Sequence, residues 1–146
     1  MNSTTSTPTQ TTRRHPIFWI LCLAALLWNV GGLGNFLWQL NVDAVASFPA
    51  PAIAIIENRP LWATAGFGFG MVTGAAGCIL LLLRNPKALI ALYLSLLGVL
   101  ITVMHSIAVA TGNELFGVTE IMTMIVAPVI VAFLLVWYAR TAGDRS

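Results

Sequence analysis

Residues Trp62–Leu83 read WATAGFGFGMVTGAAGCILLLL, a stretch without a single charged side chain. At about 1.5 Å rise per residue, a helix of this length crosses a hydrocarbon core of about 30 Å. At about 100° per residue, Ala63, Gly66, Gly70, Thr73, Gly74 and Gly77 fall within an arc of roughly 100°. That arc is a groove of small residues, with Phe67, Phe69, Met71 and Leu80 turned elsewhere. In lipid the hydrophobic force between helices is nearly absent, and association relies on close backbone contact that small residues permit. The stretch is therefore expected to be the helix that the others pack against, with Gly66, Gly70, Gly74 and Gly77 as its packing positions.

The rest of the chain agrees with a membrane setting. Of its 146 residues, 58% are hydrophobic and 8% charged, against about 45–50% and about 25% in soluble domains. A soluble domain of this size has too little polar surface to cover so much apolar area. The formal net charge of +2 is too small to indicate nucleic acid as a partner. Cys22 and Cys78 both fall inside apolar segments, where free cysteine behaves as a small core hydrophobe.

Outward from the glycine helix, Arg84-Asn85-Pro86-Lys87 is a tight basic turn that leads into a third helix over about 88–110. A short loop containing Glu114 follows, then a fourth helix over about 118–138 with Pro128 in its interior. Pro128 lacks an N–H and is expected to kink that helix. On the N-terminal side, residues 41–60 form the longest loop, with Asp43, Pro49, Pro51, Glu57, Arg59 and Pro60. Its apolar segment Ala52–Ile56 is too short to span and is expected at the membrane interface. The first helix, about 17–40, follows Arg13, Arg14 and His15; it is too long for a signal-peptide core and is read as retained. Residues 1–14 are Ser/Thr-rich and are expected to be a disordered cytoplasmic tail, and 141–146 a second tail.

The expected fold is thus an all-α antiparallel bundle of four transmembrane helices occupying 15–140. With the N-terminus inside, Arg13, Arg14, Arg84, Lys87, Arg140 and Arg145 are cytoplasmic and only Arg59 is outside. By the positive-inside rule both termini face the cytoplasm of a bacterial inner membrane.

Several polar residues sit within the apolar segments. His105 and Glu120 lie at matching depth on antiparallel neighbours, each about 8–10 Å inside its helix end. Asn35 and Gln39 on the first helix and Trp62 on the second share that outer layer. One reading is an outward-facing polar pocket, in which a His/Glu pair exchanges protons or binds a hydroxylated solute. The other is that Glu120 caps its helix, where a helix N-terminus favours a carboxylate, and that His105 is a satisfied interfacial histidine. Asn29 lies near the bilayer centre, either bonding a neighbouring helix or contacting a ligand. No metal-ligand spacing and no nucleophile with its base are visible, so neither an enzyme nor a cofactor is expected.

The segments ALLWNVGG with Gln39 downstream, RPLW, GAAGCILLLLR, ALYLSLLG with His105, and VWYAR resemble a family of small four-helix bacterial inner-membrane proteins. Its members are often labelled sugar transporters or hypothetical proteins. The resemblance runs from Trp19 to Arg140 and implies solute transport, without assigning a site. Four helices at 8–10 Å spacing leave no water-wide lumen, so a translocation path is expected only in an oligomer. The alternative is a non-catalytic accessory or scaffold protein that packs on a partner complex through the glycine groove.

Overall fold

A computed structural model describes residues 16–143. The two tails, with Arg13, Arg14, His15, Asp144 and Arg145, lie outside the described residues. The architecture is all-helical. α1 (Pro16–Gln39) leads into two short helices, α2 (Val42–Val45) and α3 (Ala50–Glu57). α4 (Leu61–Leu82) and α5 (Ala88–Ala110) form the central hairpin. The last span starts as α6 (Val118–Ile121), passes through a π-helical turn at Met122–Val126, and continues as α7 (Ala127–Gly143). α1, α4, α5 and the span Val118–Thr141 are each long and apolar enough to cross a membrane.

The glycine stripe determines who sits beside whom. α4 is the most buried of the four spans; it packs along α5 on one side and against α1 on the other, and the last span packs on α5. Gly66, Gly70 and Gly77 are buried against α5, and Gly74 lies between Asn29 of α1 and Ser95 of α5. A Cβ added at Gly98 of α5 would come within 2.6 Å of the Gly70 Cα and 2.7 Å of the Gly66 carbonyl oxygen. The two backbones therefore touch. Further along, Leu92, which is fully buried, fills the space left by Gly77. The groove is thus taken by the chain's own α5, and a partner seated in it would have to displace that helix. Gly68, on the opposite side of α4, meets the Phe36 ring of α1; the face turned away from the groove is packed as well.

Two polar bonds fasten this seam. Ser95 Oγ donates to the Gly70 carbonyl at 2.8 Å, and Thr102 Oγ1 donates across to the Ala63 carbonyl at 3.4 Å. The α4–α5 turn ends α4 in a Schellman arrangement, with Arg84 N–H on the Leu81 carbonyl and Asn85 N–H on the Leu80 carbonyl. This places Arg84 at φ 57°, in the left-handed region. Asn85 Oδ1 then accepts from Lys87 N–H and leads into α5.

The end of the bundle that carries this turn, the start of α1 and the end of α7 is closed. Phe18, Cys22 and Ala25 of α1 pack with Cys78, Leu81, Ala88, Leu92, Val136 and Ala139. The Phe18 and Tyr138 rings lie 6.3 Å apart, bringing α1 and α7 together there. α7 runs past Tyr138 because Ala139, Arg140 and Thr141 include no helix breaker before Gly143. Toward the other end the two outer helices no longer meet, and a cavity lies between them.

Candidate ligand cavity

The cavity has a volume of about 620 Å³, within the range of small-ligand sites. α1 contributes Leu27, Trp28, Gly31, Gly32, Asn35 and Gln39. The last span contributes Thr123, Met124 and Pro128, and α5 adds Val99, Thr102, Val103 and Ser106. Phe67 and Met71 of α4 form its back wall. α3 and the residues beside it close the loop end with Phe48, Pro49, Ala52, Ile55, Ile56 and Arg59. The lining is chiefly apolar. Even its polar hydroxyls are turned to their own backbones: Ser106 Oγ donates to the Thr102 carbonyl and Thr123 Oγ1 to the Thr119 carbonyl.

Local chemistry explains the opening. Gly31 has nothing within 4 Å of where its Cβ would stand, so α1 presents bare backbone to the void at that level. Across from it, Ala127 N–H reaches five residues back to the Met122 carbonyl. This π turn absorbs the disruption that the Pro128 ring and its missing N–H would cause in an α-helix. The irregularity announced by Pro128 thus takes the form of a π turn, and Thr123 and Met124 within it line the cavity.

The polar end is built by Arg59. Its Nη1 donates to Gln39 Oε1 at 2.7 Å, and its guanidinium carbon lies 5.4 Å from the centre of the Phe67 ring. Phe67 is in turn stacked edge-on with Phe36 at 5.3 Å. Arginines near membrane-helix ends ordinarily extend outward to water; this one folds back over the second turn of α4. Its Nε is buried without a hydrogen-bond partner, and among the described residues no carboxylate pairs with it. Burial lowers its pKa from the ordinary arginine value. The sign follows from desolvation, which disfavours the charged form.

The residues singled out by sequence divide into two groups. Asn35 and Gln39, one helical turn apart, both line the cavity. Asn29 does not: it is buried between helices, with Nδ2 donating to the Ala25 carbonyl at 2.9 Å and to Cys78 Sγ at 3.7 Å. Trp62 and His105 stack edge-on at 6.1 Å outside the cavity lining. His105 Nε2 lies 3.2 Å from the Ile55 carbonyl; a carbonyl only accepts, so Nε2 carries the proton. Glu120 Oε2 accepts from Gly117 N–H at 3.0 Å, capping the start of the last span. His105 and Glu120 are thus satisfied separately, and nothing joins them into a pair. Among the described residues no group of His, Cys, Asp and Glu is placed to hold a metal ion. Arg59 was not singled out from sequence. Its signal was its isolation: among the described residues the other basic side chains lie away from the loop that carries Arg59, with Arg84 and Lys87 following the end of α4 and Arg140 in the last turn of α7.

In comparisons with protein-family models, curated proteins and solved structures, nothing matches this chain. The resemblance to the small bacterial inner-membrane family therefore rests on the sequence segments quoted above.

Proposed function

We propose that this chain is a non-catalytic, ligand-binding protein of the membrane, which takes an amphipathic molecule into the cavity between its first and last spans. The observation that carries this reading is the cavity itself: about 620 Å³, apolar along most of its depth, with one cation at its loop end. A hydrophilic solute such as a sugar would leave most of its hydroxyls facing apolar walls, at a cost of about 1–3 kcal/mol for each one left unpaired. An amphipathic occupant avoids that cost. Sugar transport is for this reason the weaker reading of the site. Partner docking through the glycine groove is weaker still, since α5 fills the groove.

The distribution of basic residues supports a setting in the bacterial inner membrane with both termini in the cytoplasm. The cavity then belongs to the outer half of the bilayer. Any contact with a second copy or another protein would use the exposed faces of α1 and α7, where Ile20, Leu23, Ile130 and Phe133 are exposed.

Native mass spectrometry of the protein released from nanodiscs made of its host membrane tests the reading. The wild type should retain a discrete small molecule. Gly31→Phe, which fills the void without a clash at its Cβ, should lose that molecule while keeping a normal melting curve. Release of a bare chain by the wild type would count against the cavity as a ligand site.

A further inference from the structure

We infer that the occupant is an anionic membrane lipid, with its acidic headgroup on Arg59 and an acyl chain running along the cavity toward Leu27. This rests on the cavity being a ligand site, and adds the chemical class of the ligand.

The argument starts from charge. Arg59 is the basic residue that closes the loop end of an apolar space. Its guanidinium turns inward over Phe67, and of its donors Nη1 meets a neutral amide while Nε meets nothing. A guanidinium presents five N–H groups in a planar fork that matches a phosphate or carboxylate. Gln39 and Phe67 hold that fork in place without neutralising it. Nε is shielded from direct approach, which leaves the Nη2 donors as the ones to meet an anion in the cavity.

Shape gives the second half. From Gln39 to Leu27 the cavity wall follows α1 for about 18 Å of helix axis at about 1.5 Å per residue. Below Asn35 that wall is Gly31, Gly32, Trp28 and Leu27, with no charged group. A space charged at one end and apolar below it matches a headgroup with its chain. Because the void lies between α1 and the last span, a lipid has a lateral way in from the bilayer, and no aqueous route is needed.

Thermal melting in a neutral detergent tests the assignment with three additives: phosphatidylglycerol, diacylglycerol with the same chains, and inorganic phosphate. Phosphatidylglycerol should raise the melting temperature of the wild type at concentrations about ten-fold or more below those needed for diacylglycerol. Inorganic phosphate alone should leave it unmoved. Arg59→Gln should remove the ten-fold preference and still respond to both lipids, and Gly31→Phe should respond to neither. Equal response to the two lipids in the wild type would overturn the headgroup assignment and leave the cavity reading standing. Phosphate reproducing the shift, or phosphatidylglycerol acting on Gly31→Phe as on the wild type, would overturn the lipid, because the chain would then not occupy the cavity. No response to any lipid, with Gly31→Phe unchanged from wild type in every arm, would remove the cavity reading and this one together.

Discussion

At Gly98 the two central helices meet backbone to backbone, and a single methyl group is enough to test it. Gly98→Ala forces its Cβ against the Gly70 Cα and the Gly66 carbonyl, neither of which can rotate away. Overpacking of this kind costs about 1–3 kcal/mol, so the variant should melt clearly below the wild type. Gly31→Ala is the matched control. Its Cβ meets nothing, and alanine is the better helix former by about 1 kcal/mol, so its melting temperature should be unchanged or higher. Arg84 offers the opposite experiment. A left-handed conformation disfavours an L side chain by about 1–2 kcal/mol, whereas glycine adopts it freely and loses part of that gain to unfolded-state entropy. Arg84→Gly should therefore raise stability by up to about 1 kcal/mol, read by urea titration in detergent. A loss instead would mean that the arginine side chain makes a contribution beyond its backbone.

Among the elements, α3 carries the most consequence for its size, since it roofs the cavity and is tied down by His105. Removing that imidazole strands the Ile55 carbonyl, a buried acceptor, at about 1–3 kcal/mol. His105→Ala should thus lower the melting temperature and increase modification of a probe cysteine at Ala52, and Glu120→Gln should change ligand retention little. That α4 is the helix the others pack on was legible from sequence because 100° arithmetic puts Gly66, Gly70, Gly74 and Gly77 on one line, whereas α5 as the occupant of that line was not. Asn35 and Gln39 were placed in one layer by counting rise per residue, and both line the cavity. The fate of His105 was not legible. Its partner is a backbone carbonyl fifty residues away in a loop whose helicity is fixed by Pro49 and Pro51 at its start. Equal depth on neighbouring helices also says nothing about azimuth, which is why His105 and Glu120 share a layer without meeting. Pro128 announced an irregularity, but a kink and a π turn cost the same missing N–H and cannot be told apart from the residue alone.

For the described residues as a whole, the arrangement is a bundle closed at the end with the start of α1 and the end of α7, and open between its outer helices at the other. The proposed orientation rests on the positive-inside count in the sequence, six basic residues against one. A membrane-impermeant thiol reagent applied from outside should modify a probe cysteine at Asn113 or Glu57 and miss one at Asn85, in a background lacking Cys22 and Cys78. The reverse pattern would place Arg59 and the cavity in the inner half of the bilayer. The central claim is that the void between α1 and the last span receives one kind of amphipathic molecule. A photoreactive side chain introduced at Gly31 of α1, which lines the void, can be compared with one at the adjacent Val30, which is exposed on the outside of the bundle. After illumination in native membrane and mass analysis, the Gly31 probe should carry a single adduct strongly enriched over its share of bulk lipid, and the Val30 probe a mixture matching bulk composition. Identical adduct mixtures at both positions would contradict the account.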